Sequence, residues 1–199
     1  PVPTGASHVE ARTLPMNGLA ARQSLDLLAL SAGQTLAVSG APGAYGGYVI
    51  GLAKAEGLTV IADASSADQA LVKALGADIV VPRGNDFSDR VREHFANGVD
   101  GFADGALLNQ LALPAVRDGG ALTSVRGFEG DGQRGVRVLP TWVRRYDGEF
   151  EKLDQLRKQC EAGLLKLRVA DVYSPQRAHE AHRRLEGGGT RGRLVIEFS

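Results

Sequence analysis

The sequence predicts an α/β fold built on a doubly wound parallel sheet, with a C-terminal helix-strand extension. Three observations carry that reading. Short apolar runs alternate with amphipathic segments along most of the chain, as in strand–helix–strand crossover units. The first of these units, Leu36 to Asp63, passes from its apolar run into its helix through Gly40, Gly43, Gly46 and Gly47. A chain of 199 residues, 43% of them hydrophobic, can bury one sizeable core, and its single cysteine, Cys160, excludes an internal disulfide.

Taken in order, Pro1 to Ser7 is rich in Pro, Gly and Ser and reads as an extended lead-in. Asn17 is placed to cap a helix in which Leu19, Ala20, Leu25 and Leu28 fall near helical spacing, ending around Ser31-Ala32-Gly33. Leu36 to Val38 is the first strand, Tyr48 to Ala55 a helix, and Leu58 to Ala62 the second strand, closing on Asp63. Ala67 to Leu75 reads as a helix stopped by Gly76, and Asp78 to Val81 as a strand ended by Pro82. Phe87, Val91 and Phe95 recur every four residues on the next helix, and Gly98 separates it from a strand, Val99 to Ala103. A helix Ala106 to Val116, a strand Ala121 to Val125 after Gly119-Gly120, and a sixth strand, Val136 to Val143, complete the sheet. Beyond Tyr146 come a helix Phe150 to Ala162, a strand Leu165 to Val172, a helix Pro175 to Leu185 and a last strand, Leu194 to Phe198. The expected organisation is a lead-in segment and helix over 1–30, a dinucleotide-binding domain over 31–146 and a C-terminal extension over 147–199.

The glycine turn is where chemistry enters. Gly40 or Gly43 lets the backbone turn and approach a ligand, and Gly46 with Gly47 lets the helix start pack hard on the sheet. The free N–H groups and positive dipole end of that helix then face whatever lies over the loop, for which a pyrophosphate is the usual occupant. Ala41-Pro42-Gly43-Ala44-Tyr45-Gly46 supplies only the later glycines of G-x-G-x-x-G, so the motif draws its weight from the strand before it, the helix after it and the acid closing the next strand. In a doubly wound sheet the ligand lies at the carboxyl edge, which brings Ala103 and Asp104, and likewise Ser124 and Val125, toward the cofactor. Asp104 is equally suited to cap the segment that follows it.

Lys plus Arg and Asp plus Glu both number 23, so no global charge attracts nucleic acid or an anionic membrane, and a small molecule is the expected partner. No apolar stretch approaches a membrane span and no leader pattern is visible; the expected setting is cytoplasmic. His179 and His182 have no third ligand in view and do not match H-E-x-x-H, so they read as a solvated face. Cys160 reads as a packed helix residue beside Leu156, and Arg144-Arg145-Tyr146 as a solvated loop. No general acid or base stands out.

The run LPMNGLAARQSLDLLALSAGQTLAVSGAPGAYGGYVIGLAKAEGLTVIADASS, the segments GVDGFADGALL and RDGGALTSV, and the ending VYSPQRAHEAHRRLEGGGTRGRLVIEF resemble medium-chain dehydrogenase/reductases of the quinone oxidoreductase-like branch. The resemblance covers nearly every residue and implies a Rossmann fold that binds NAD(P)H and serves hydride transfer to a quinone, enone or activated carbonyl compound. It also implies a barrel-like catalytic domain preceding the matched region, so this chain alone is expected to be inactive; a homodimer is left open. Met16 stands near the place where zinc-dependent relatives supply a cysteine ligand, which favours zinc-independent chemistry and no metal. Ala20 replaces a threonine and Tyr45 a small aliphatic residue of the family; Tyr45 either covers the pyrophosphate or packs outward. By the same resemblance Ser124 and Val125 touch the nicotinamide portion.

Cofactor choice is divided. Asp63 is suited to the two ribose hydroxyls of NADH, whereas Ser65, Ser66 and Arg83 match 2′-phosphate contacts of NADPH-using relatives, although a lysine that some carry is Gln69 here. The balance of these residues favours NADPH, with NADH the alternative. Rival readings are the nucleotide domain of a zinc-type alcohol dehydrogenase, a methyltransferase binding S-adenosylmethionine, and a noncatalytic nucleotide-binding or interaction domain.

Overall fold

The computed structural model describes residues 1–198, and its first element is one the lead-in reading did not include. Helix α1 (His8–Ala11) is a single turn held by a reciprocal cap: the Ser7 hydroxyl accepts the Glu10 N–H at 3.2 Å and the Glu10 carboxylate accepts the Ser7 N–H at 2.8 Å. Helix α2 (Leu14–Leu28) starts three residues before Asn17, with Thr13 at its N-cap and Pro15 in its first turn. Asn17 is therefore inside the helix and not its cap. The helix also ends earlier than Ser31, because Ala29 turns left-handed at φ 52° and closes the last turn on Leu25.

The alternating units then appear in sequence: β1 (Thr35–Ser39), α3 (Ala44–Ala55), β2 (Thr59–Ala64), α4 (Gln69–Ala74), β3 (Ile79–Pro82), α5 (Phe87–His94) and β4 (Val99–Asp104). The segment read as a helix over Ala106 to Val116 is instead a 3₁₀ turn, Asn109–Ala115, with Pro114 inside it. A proline cannot donate to a helical ladder, and Leu107 and Asn109 take left-handed φ of 61° and 54°, so no α-helix can form there. Val116 consequently begins a long strand, β5 (Val116–Val125), and β6 (Arg137–Thr141) follows.

All six strands are parallel, in the order β3-β2-β1-β4-β5-β6. Strand alternation sends Leu36, Val38, Val60 and Ala62 to one face, where they meet α2, α3 and Leu156. Ala37, Ile61, Phe102 and Leu122 go to the other, against Phe87, Val91 and the 3₁₀ turn. Phe87 and Phe102 meet edge to face with centroids 5.7 Å apart.

The remainder forms α6 (Phe150–Glu161) and a small separate sheet in which β7 (Val169–Tyr173) and β8 (Arg193–Ile196) pair in parallel across α7 (Ala178–Glu186). Two arginines tie this unit to the main sheet. Arg168 donates to the carbonyls of Pro42 and Gly43 at 2.8 and 2.6 Å, and Arg191 grips Asp68 through two bonds of 2.6 and 2.7 Å. Among the described residues no helix is long and apolar enough to cross a membrane.

Candidate functional site

Strands β1 and β4 are neighbours, but their successors β2 and β5 lie on opposite sides of the pair, so the connections leave in opposite directions and open a crevice at the carboxyl edge. Ser39 and Asp104 are the last paired residues before it. Across this crevice the two loops approach backbone to backbone. Gly40 sits at φ 67°, and a Cβ there would lie 2.9 Å from the Gly105 carbonyl carbon. A Cβ on Gly46 would lie 2.5 Å from the Gly40 oxygen and 2.7 Å from the Ala41 Cα. Gly43 forms the N-cap of α3 and hydrogen bonds Gly40, leaving the first-turn N–H groups, Ala44 and Tyr45 among them, beyond reach of any carbonyl of the helix.

Tyr45 does not pack outward but lines the cleft. Its ring packs on Gly105, where a Cβ would lie 2.8 Å from the ring, and its hydroxyl bonds Ser24 at 2.7 Å; Ser24 in turn bonds Thr141 at 2.8 Å. Burial pushes the phenol up to about 12, so it stays neutral and forms a fixed wall of the cleft.

At one end of the crevice, Asp63 lies within β2, 2% exposed, with Oδ1 accepting the Ala41 N–H at 2.9 Å. Burial raises its pKa despite the loop N–H groups directed at it. Arg83, half-exposed, places Nε 3.7 Å from Asp63 and Nη2 3.8 Å from Asp68. Asp68 also accepts the Ser65 hydroxyl at 2.6 Å, and the Arg191 bonds foremost hold its carboxyl below the ordinary range. Ser66 is exposed and opens the short turn Ser66–Asp68.

At the other end, Ala103, Asp104 and Ser124 are fully buried beneath the cleft floor. Asp104 accepts the Ser39 hydroxyl at 2.6 Å and the N–H groups of Ala106, Leu108 and Asn109 at 3.2, 3.1 and 2.8 Å, so its oxygens hold the loop that contains Gly105. Ser124 donates to the Asn109 side chain at 3.3 Å. Val125 reaches the surface and lines the cleft; Pro42 is buried under the loop.

The resulting cavity, about 560 Å³, has the glycine loop, Gly105 and Val125 on one side and α7 with β8 on the other. Arg126, His182 and Arg193 line it, and among the described residues no carboxylate does. Asn17 Nδ2 and Thr190 Oγ1, on residues that also line it, are buried without a hydrogen-bond partner. Arg193, whose Nη2 rests 4.0 Å from the Met16 sulfur, pairs with no carboxylate among the described residues. A cation-lined cleft with orphaned polar groups and a helix N-terminus fits a bound diphosphate. Sequence reasoning missed Arg193 and Thr190, because only the folding of β8 beside the loop gathers them; His182, read as part of a solvated face, is exposed and lines the cleft.

Other candidates lie elsewhere. Tyr146 donates to Asp26 at 2.6 Å, and Arg144 stacks 5.3 Å over Trp142. Cys160 is half-buried, its thiol pushed up to about 11 by burial. Among the described residues no group of three or more His, Cys, Asp or Glu is placed to hold a metal.

A sequence profile described as zinc-binding dehydrogenase matches residues 75–196. The zinc-type alcohol dehydrogenase-like protein of Staphylococcus epidermidis is 25% identical over 226 residues, covering 98% of this chain and 67% of that protein. The 2-methylene-furan-3-one reductase of Solanum lycopersicum is 29% identical, covering 98% and 48%. Among solved structures, an NAD-dependent alcohol dehydrogenase superposes with a TM-score of 0.85 at 29% identity, over 100% of this chain and 61% of its own. The quinone oxidoreductase from Coxiella burnetii does so at 0.84 and 26%, over 98% and 62%. The chain thus spans about half to two thirds of the length of these relatives. It belongs to the zinc-binding dehydrogenase family within the medium-chain dehydrogenase/reductases and corresponds to their cofactor-binding half, with its Rossmann nucleotide-binding fold.

Proposed function

We propose that the chain binds NADPH and presents it for hydride transfer to a quinone, enone or other activated carbonyl compound. The observation that carries this is the cleft along the Gly40–Gly46 loop, lined among the described residues by Arg126 and Arg193. Two relatives, the 2-methylene-furan-3-one reductase of Solanum lycopersicum and the quinone oxidoreductase from Coxiella burnetii, support the substrate class. A bound nicotinamide supplies the hydride; the protein binds, orients and excludes water. In this reading the first-turn N–H groups of α3 and the Arg193 guanidinium hold the diphosphate. Tyr45 and Val125 wall the nicotinamide end, and residues 147–199 return to a catalytic domain that closes the cleft. The setting is cytoplasmic. The chain by itself is expected to bind cofactor without turnover, since in this reading the catalytic domain is what closes over the reacting ring. Quinone-dependent NADPH oxidation by the purified chain above a no-protein blank would refute this.

NADPH is preferred because Arg83 makes only long ion pairs, at 3.7 and 3.8 Å, so its donors stay available to a 2′-phosphate beside Ser65 and Ser66. A specific observation favours NADH as a second reading: Asp63 keeps a buried carboxylate at the same end, which accepts from ribose hydroxyls and repels phosphate. Charge-assisted contacts contribute about 1.5–3 kcal/mol, and the exposure of Arg83 puts its share at the lower end, roughly ten-fold in affinity. Titrating both reduced cofactors against wild type and Arg83→Ala should give tighter NADPH binding that the substitution removes. NADH binding at least as tightly as NADPH, or an unchanged preference in the variant, would make Asp63 the reader.

A further inference from the structure

We propose that Arg168, arriving from the C-terminal unit, is a positioning residue for the diphosphate cradle, acting through the backbone of the glycine loop without touching the ligand. The proposal rests on the dinucleotide reading.

Arg168 Nη1 donates to the Pro42 carbonyl at 2.8 Å and Nη2 to the Gly43 carbonyl at 2.6 Å, from residues 126 and 125 positions away. In a trans peptide the N–H points opposite the C=O. Drawing the Gly43 carbonyl back onto a guanidinium therefore aims its peptide partner, the Ala44 N–H, away from Arg168; Ala44 lines the cleft. Two charge-assisted bonds from one planar fork fix both peptide planes at once.

Two features indicate more than loop packing. Arg168 pairs with no carboxylate among the described residues, and burial pulls its pKa down. It is also a cation at the N-terminal, positive end of α3, where the helix dipole disfavours one. That arrangement is electrostatically unfavourable until an anion arrives at the same helix end. The second member of the Gly46-Gly47 pair is explained as well: a Cβ on Gly47 would run into Arg168 Nη2 and lie 3.2 Å from its Cζ.

The test compares ADP-ribose, which carries the diphosphate, with adenosine, which has no phosphate. Calorimetry for the first and saturation-transfer NMR for the second are run on the purified chain and its Arg168→Met, Arg168→Lys and Gly47→Ala variants. Arg168→Met and Gly47→Ala should weaken ADP-ribose binding at least about ten-fold and leave the adenosine signal unchanged. Arg168→Lys should recover part of the loss, since an ammonium keeps the charge but not the fork. If Arg168→Met does not fold, Gly47→Ala decides, because alanine suits a helix interior and displaces the guanidinium without removing it. Equal losses for both ligands, or no loss for ADP-ribose, would overturn the positioning role alone. A wild-type chain that binds no ADP-ribose would overturn the dinucleotide reading and this proposal together.

Discussion

Gly46→Val is expected to abolish dinucleotide binding and to remove about 3 kcal/mol or more of stability. A Cβ at this position would lie 2.5 Å from the Gly40 oxygen and 2.7 Å from the Ala41 Cα. Both obstacles are backbone, so no rotamer change relieves them, and overpacking of even flexible neighbours typically costs about 1–3 kcal/mol. The only escape is for the loop to lift away from α3, which breaks the Gly40–Gly105 approach and moves the N–H groups of the cradle. Gly43→Ala is the milder comparison and should lose distinctly less stability: its Cβ would lie 3.1 Å from the Gly40 oxygen, a tight contact that a small shift relieves, and its backbone, at φ −68°, is one that any amino acid adopts. Urea denaturation and NADPH calorimetry on both variants check this. A folded Gly46→Val chain with wild-type affinity would mean the loop is a turn and nothing more.

Asp104→Leu is expected to cost about 4 kcal/mol, with loss of cofactor affinity following from it. The side chain is fully buried and accepts four hydrogen bonds, three of them from the backbone of the loop that follows β4. Leucine has similar volume but leaves those donors unsatisfied, at about 1–3 kcal/mol each before partial relaxation. The loop also holds Leu107 and Asn109 in left-handed conformations that persist only when their surroundings impose them. Since Gly105 and Leu107 line the cleft, its wall would move with the loop. Asp104→Asn, which keeps one acceptor oxygen, should lose distinctly less. A loss below about 1 kcal/mol for Asp104→Leu in chemical denaturation would show that the carboxylate does not organise the loop.

What was legible in the sequence was whatever is settled by neighbours. The β1–α3–β2 unit followed from apolar runs and the glycines between them, and Gly76 and Gly98 sit at φ 110° and 87° where the sequence reading ended helices. Asn17 was misread because a good capping residue gives no sign that Thr13 and Pro15 have already started the helix. Ala106 to Val116 was misread because its spacing is helical while Pro114 and two left-handed residues break the ladder. The orientation of Tyr45 was out of reach for another reason. Its hydroxyl is fixed by Ser24, and Ser24 by Thr141, partners 21 and 117 positions distant that only the assembled sheet brings near. Arg168 and Arg193 were invisible in the same way: each is an ordinary surface-type residue until the small sheet docks beside the glycine loop.

The strand order also constrains how the protein comes into being. β1 lies between β2 and β4, and its pairing with β4 joins positions 65 apart, as the Ser39–Asp104 bond does. A chain emerging from the ribosome carries the glycine turn long before its opposite loop exists, and the α7–β8 wall comes later still. Until then Leu36, Ala37 and Val38, all fully buried in the finished fold, form an apolar strand with one unpaired edge. High contact order of this kind slows folding and prolongs the interval in which such an edge can pair with another chain. The cofactor cannot shorten that interval by templating the early steps, because its binding surface is completed only by α7 and β8, which are synthesised after all six strands of the main sheet.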